Sequence, residues 1–475
     1  MGSRIRPLAA AIAVAFSGLA AAQSASGPSV REPAPTLDDI VVRAPRMPAA
    51  PESSVIDRRH LESKRAATSD SASLLTASPG LFVQGAGGVS GLPTLHGLAD
   101  DRLRLKVDGM DLIAACANHM NPPLSYIDPN NVGSIEVYSG VAPVSAGGDA
   151  IGGTVIVNSA APSFAKPGQG LLASGQLGVF YRSNGEAHGV NAAATLASEN
   201  LSISYNGAQA EAKNYKAAKD FKPAVLATRT RSGSHWIAGD EVGSSAYRTA
   251  NHALGVALRA DNHLFDFKLG YQHIPEQGFP NQHMDMTDNE STQLNLGYAG
   301  HFGWGALRTR FYQQNTRHQM DFAGDKLYWY GAAGNIAGMP MDTKGRTTGV
   351  AVTGDVALSA RDLLKLGVEL QRFRLDDWWK PVANSMMMSP NTFSNINHGQ
   401  RDRFDLFAEW EAQWSPHWLT LAGIRGSSVR MDSGTVQGYN TGAGYAVDAA
   451  RFNASDRRHS DENIDLGALA RYTPD

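Results

Sequence analysis

The chain of 475 residues carries one cysteine, Cys116, so its thiol has no partner for an intramolecular disulfide. Two readings of Cys116 stay open: a small residue that is simply buried, as free cysteine often is, or a soft donor with a chemical task. A redox cycle is disfavoured, because no second thiol exists to complete it. Thioether and imidazole groups recur along the chain: Met120 beside the thiol, His283, Met284 and Met286 further on, then His318 and Met320, Met339 and Met341, and the run Met386 to Met388. Any one of these residues is more often packing or wall than ligand. Catalytic alternatives are weak, since there is no Gly-rich phosphate loop after a strand, no His-Glu-x-x-His and no serine in a sharp elbow. A formal net charge of −3 with 18% charged residues also lacks the basic excess of a nucleic-acid binder.

The elements that must position these groups follow from the pattern along the chain. Residues 1–22 read as a signal peptide, with Arg4 and Arg6, an apolar Leu8 to Leu19 and small residues at Ala20 to Ala22. No run reaches the ~18 apolar residues of a spanning helix, so a membrane would be crossed by strands. Residues 23–54 are a flexible segment holding a short β-prone patch at 37–43, suited to pairing with another protein's sheet edge. Residues 55–165 read as a compact α/β unit: a helix around Leu74-Leu75 closed by Pro79-Gly80, a strand from Leu103 to the Asp108-Gly109 turn, and strands at Ile135–Tyr138 and Thr154–Val157.

From 169 to 475 the chain shows alternating segments with the length and period of tilted barrel strands. Twelve are expected: 169–182, 187–198, 201–213, 247–260, 263–275, 290–302, 305–321, 346–359, 362–375, 401–414, 417–431 and 461–472. Tight turns such as Asp261-Asn262 and Gly303-Trp304 alternate with long loops at 214–246, 276–289, 322–345, 376–400 and 432–460. That one-sided asymmetry belongs to an outer-membrane barrel, whose long loops face outside, and not to a soluble sandwich. Tyr271, Tyr298, Trp304, Tyr312, Trp329, Trp410, Trp414 and Trp418 are expected at strand ends, as an aromatic girdle. Twelve strands are too few to enclose the α/β unit, and Tyr472 to Asp475 reads as a strand entering a turn, so a truncated barrel is expected.

At this point the residues resemble a known family, the TonB-dependent outer-membrane receptors. Residues 37–43, with Asp38, Asp39, Ile40, Val41 and Val42, look like a TonB box; Ser73 to Val83, Leu95 to Leu98, Leu103 to Gly109, Ile135 to Val141 and Ala150 to Val157 resemble the receptor plug. The resemblance implies an α/β plug within a transmembrane antiparallel β-barrel of about twenty-two strands, of which roughly ten are not seen here. A narrower likeness lies in Ala115 to Ile127, which is similar to the plug loop of TonB-dependent copper receptors of the OprC/NosA type. Their metal site joins a Cys-x-x-x-Met of the plug to a His-x-Met of the barrel, and the matching residues here are Cys116, Met120, His318 and Met320. Pro280 to Thr287, with His283, Met284 and Met286, is also similar to that subfamily and supplies secondary candidates.

The chemistry agrees with the resemblance. Thiolate and thioether are soft donors that favour Cu(I), and imidazole accepts either oxidation state. Residues 116 and 120 can share one side of a turn, and 318 and 320 share one face of a strand together with Arg308, Arg310, Tyr312, Gln314 and Thr316, a polar set suited to a lumen. The resemblance implies a monomeric importer in the cell outer membrane, in contact with its lipid and energised by TonB, that carries copper and is no enzyme. The loop methionines could form a relay of weak copper sites, or be filler. Two other functions stay open: a receptor for a metal chelate such as a siderophore or cobalamin, and a surface-binding receptor without transport.

Overall fold

In the computed structural model the described residues are 53–474, apart from 57, 86, 118, 141, 149, 230–232, 323, 327–337, 339 and 384. The expected signal peptide, the patch at 37–43, Trp329 and Met339 lie outside them.

The first strands build two small sheets. Ser53–Ile56 (β1), Leu103–Val107 (β5), Met110–Asp111 (β6), Val132–Tyr138 (β7) and Gly153–Ser159 (β8) form a five-stranded sheet in the order β1-β7-β8-β5-β6, in which β5 runs parallel to β8. Leu81–Gln84 (β2), Leu92–Leu95 (β3) and Leu98–Ala99 (β4) form the other. Alternation in Leu103-Arg104-Leu105-Lys106-Val107 sends the apolar residues into a core with Leu74, Leu75, Ile135, Val137 and Val155, and leaves Arg104 and Lys106 on the opposite face. Asp108 and Gly109 both take positive φ, 51° and 75°, as the type I′ turn between β5 and β6 demands. The helix expected around Leu74 is a 3₁₀ run, Ser71–Ala77, capped by Asp70 and preceding Pro79; seven residues rich in serine and threonine are too few for stable α-helix. One short α-helix, Arg58–Arg65 (α1), lies before it.

The rest forms one antiparallel sheet of twelve strands: Leu172–Arg182 (β9), Ala187–Ala197 (β10), Leu201–Ala212 (β11), Tyr247–Ala260 (β14), His263–Gln277 (β15), Asp285–Phe302 (β16), Gly305–Asp321 (β17), Met341–Ala357 (β18), Asp362–Trp379 (β19), Phe393–Gln413 (β20), Trp418–Asp432 (β21) and His459–Tyr472 (β22). Each expected strand is present. The long connections carry elements the alternation did not announce, a hairpin of Val225–Arg229 (β12) and Gly233–Ile237 (β13), and a helix, Ala443–Ala454 (α2). Several strands also run well past the ~9–11 residues that cross a bilayer, β20 having 21. The loops expected at 276–289, 322–345 and 376–400 are therefore shorter, and Met286 and Met341 lie on strands.

Side chains alternate across this sheet as a barrel wall requires. Gln371, Arg403, Asp405 and Arg425 are buried on the face that meets the α/β unit, while Leu366, Leu370, Leu406 and Ile424 are exposed on the other. Rings gather at the tight-turn end, where Phe302 stacks on Trp304 at 5.4 Å, and Trp418 lies 5.0 Å from Tyr472. Tyr312 departs from the girdle expectation: its even position on β17 turns it inward, where it is buried among the core residues of the α/β unit.

Candidate metal site

Two elements bring the soft donors together. After β6 the chain makes a tight turn in which the His119 amide donates to the Cys116 carbonyl at 3.0 Å. His119 itself sits at φ 53°, in the left-handed region, and its ring turns toward Asp100 and Asp101, at 3.9 and 3.7 Å. Cys116 and Met120 are both buried on the other side, in one cluster. The wall lets this loop approach because Gly345 on β18 has no side chain; a Cβ there would lie 3.3 Å from that of Ala115.

On the wall, Met320 of β17 is the register partner of Met286 on β16 and of Met341 on β18. A register shift between Met286 and Asp288 puts Asn289, and not Asp288, opposite His318, so Met286 and Asn289 face inward although they are three residues apart. Met284, Met286, Met320 and Met341 join Cys116 and Met120 in the buried cluster, closed off by Ile274, Phe279 and Phe322. His318, two residues from Met320 on the same face, is fully buried. Its Nδ1 lies 3.3 Å from Asn289 Oδ1, and its Nε2 has no hydrogen-bond partner among the described residues. Leaving such a nitrogen dry and unpaired costs about 1–3 kcal/mol, which makes it a feature in need of an explanation.

The other candidates separate. His283 is exposed, Met386 and Met387 are exposed at 94% and 71%, and Met388 is buried apart from the cluster with Val382 and Tyr439. Asp38 to Val42 lie outside the described residues. Among the described residues no group of three or more His, Cys, Asp and Glu side chains is placed to hold a metal ion, and the cluster around Cys116 is rich in thioethers. Such a pocket fits a soft ion and offers little to a hard one. Sequence reasoning placed Met286 and Met341 in outer loops and missed Asn289; counting in register from Met320 reaches Met341 on β18, whereas the shift on β16 hides Met286.

Charge holds the α/β unit against the wall beside this site. Arg104 Nη2 lies 2.8 Å from Glu369 Oε2, Lys106 Nζ 2.8 Å from Glu369 Oε1, and Arg425 joins Glu369 to Asp405 at 2.5 and 2.7 Å. Asp111 bridges Arg104, at 2.9 Å, and Arg403. Burial pushes the Asp111 carboxyl up, but Arg403, Arg104 and Lys106 together hold it below the usual carboxylate range. Burial lowers the Lys106 ammonium, with Arg104 adding to the effect against the pull of Glu369. Beyond the strand ends, Asp325 accepts from Asn214 Nδ2 at 2.8 Å, the Ser244 amide at 2.7 Å and His235 Nε2 at 2.7 Å. Lys326 donates to the Phe279 and Gln282 carbonyls at 2.7 and 2.8 Å, tying the segment after β17 to the loop between β15 and β16.

Comparison with known proteins bears on the fold. Residues 47–154 match the family model described as the TonB-dependent Receptor Plug Domain. No curated protein sequence matches the chain. Among solved structures, the chain is similar to the copper transporter OprC, with 18% identity and a TM-score of 0.69 over 88% of this chain and 60% of that one. It is also similar to the FrpB iron transporter from Neisseria meningitidis, at 16% identity and a TM-score of 0.64 over 90% of this chain and 62% of that one. The hemophore receptor HasR of Serratia marcescens, solved with its hemophore HasA and heme, is similar at 13% identity and a TM-score of 0.59, over 88% and 59% of the two chains. The chain thus spans about three fifths of the length of these structures. The chain therefore joins a plug domain of the TonB-dependent receptor kind to a twelve-stranded sheet with the fold of TonB-dependent receptor barrels.

Proposed function

We propose that this protein is an outer-membrane receptor that imports copper, taken as Cu(I), between its plug and its barrel wall. Cys116 and Met120 would bind from the plug, and His318 and Met320 from β17. Met286 and Met341 flank Met320 and would complete a sulfur-rich approach. The observation that carries this reading is the buried cluster of the one thiol with several thioethers, and, two residues from Met320 on the same face of β17, a buried imidazole whose Nε2 has no hydrogen-bond partner among the described residues. Sulfur donors select Cu(I) over hard and borderline ions, and a dry pocket strengthens the selection.

Transport would need the plug to yield. In this reading TonB pairs with Asp38 to Val42 by strand addition, and a pull on that segment withdraws Cys116 and Met120 from His318 and Met320, halving the donor set. The exposed apolar face of the wall would contact lipid, and the protein would act as a monomer.

Copper accumulation by cells tests the reading. Deleting residues 37–43 should abolish energised uptake and leave copper bound to the purified protein; Cys116→Ala should abolish both. A receptor for a siderophore, cobalamin or another chelate would keep its uptake in Cys116→Ala, and a surface-binding receptor would keep its function without residues 37–43.

A further inference from the structure

His318 has two ring nitrogens, and its neighbours decide which of them carries the proton. Nδ1 faces Asn289 Oδ1 at 3.3 Å, while Nε2 is buried without a partner among the described residues. The amide of Asn289 is itself oriented: its Oδ1 accepts from Asn121 Nδ2 at 2.9 Å, and its Nδ2 donates to Gln272 Oε1 at 3.5 Å. Gln272 is fixed in turn, since its Nε2 donates to the Ser125 carbonyl and, at 3.0 Å, to Asn251 Oδ1. Asn251 Nδ2 then donates to Thr249 Oγ1 at 3.1 Å and to the Asp128 carboxylate at 3.5 Å. Asn289, Gln272 and Asn251 each show the oxygen toward His318 and the nitrogen away. Turning Asn289 over would set its N–H against that of Asn121, so Oδ1 stays an acceptor and Nδ1 of His318 must donate.

We propose that Asn289 is a positioning residue that holds His318 as the Nδ1–H tautomer and so keeps the Nε2 lone pair for the metal. The proposal rests on the copper reading above and extends it to how the imidazole is aimed. A metal-bound imidazole commonly donates its other N–H to an oxygen that fixes both tautomer and ring orientation. Asn289 is buried, lies directly opposite His318 in the strand register, and shares its oxygen with Asn121, one residue from Met120. The oxygen that aims the wall ligand is thus also held by the plug loop that carries the sulfur ligands.

The test uses metal-free protein labelled with ¹⁵N-histidine, with the His318 signals identified by their loss in His318→Gln. Wild type should show a protonated Nδ1 and an unprotonated Nε2 at neutral pH. Asn289→Leu, which removes the acceptor, should give a mixture of tautomers and weaken Cu(I) binding about 10–100-fold in a chelator competition. Asn289→Asp, which keeps an acceptor, should retain both the tautomer and the affinity. A protonated Nε2 in wild type overturns the proposal without any variant, even if Asn289→Leu fails to fold. So does an Asn289→Leu protein with wild-type tautomer and affinity. Failure of wild type itself to bind Cu(I) contradicts the copper reading instead, and the tautomer measurement still decides the role of Asn289.

Discussion

Met286 and Met320 face each other as register partners across β16 and β17, and the row continues to Met341 on β18. Opposed side chains in such a sheet stand about 4.5–5.5 Å apart at Cβ, close enough for flexible thioethers to reach a common ion. Position in the row grades the expected effects. Met320→Ala should weaken Cu(I) binding at least tenfold, or about 1.4 kcal/mol, with Met286→Ala and Met341→Ala each losing less. Competition with a chromophoric Cu(I) chelator measures all three, and equal losses would contradict the assignment of Met320 as the direct ligand.

Metal selectivity should follow the donors. Ag(I), soft like Cu(I), is expected to displace bound copper at comparable concentration, and Mg(II) and Ca(II) to have no effect. Cys116→Ser exchanges thiol for hydroxyl with little change in volume, and should lower Cu(I) affinity about a hundredfold or more without unfolding the protein. Circular dichroism beside the titration separates the two consequences.

Plug retention should depend on Asp111. Its side chain is 13% exposed, and it pairs with Arg104 and Arg403, both more deeply buried. Asp111→Asn leaves those cations short of a partner and should cost about 3–5 kcal/mol of plug stability, read as increased proteolysis of the plug in the folded barrel. Because the folded carboxyl is held below its ordinary value, its contribution is complete above about pH 4 and fades only as the pH falls further. Wild-type protein should therefore resist protease equally at pH 7 and pH 5.

The outer loops should loosen through Asp325. Its carboxylate gathers Asn214, Ser244 and His235, and burial, which pushes it up, is outweighed by these donors, so it stays below the usual range. Asp325→Ala should speed amide exchange at Ser244 and its neighbours by at least tenfold, while copper affinity changes less than in Met320→Ala. Unchanged exchange would show that the loops are held by other contacts.

Much of this architecture was legible because an exposed apolar face and a polar face turned to the α/β unit impose period-two alternation on β9 to β11 and β14 to β22, and because tight turns contrast with long loops. The α/β unit could be read from Leu103 to Gly109, where alternation and an Asp-Gly turn coincide. What escaped reading lies where those pressures lapse. At the long-loop ends of β16, β18 and β20 the alternation gives way to polar residues, so runs such as Thr287 to Asn289 look like loop, and Met286 and Met341 were placed in loops for that reason. The shift between Met286 and Asp288 also reverses parity, which no count along the sequence foretells. Asn289 and the outward turn of His119 depend on contacts between distant segments, and only the folded chain brings those together.

The most direct test is copper stoichiometry of the purified protein after growth in copper-containing medium, with wild type compared to Cys116→Ala and Met320→Ala by elemental analysis. The account predicts one copper per wild-type chain and little or none in either variant. One copper per chain in all three would contradict it.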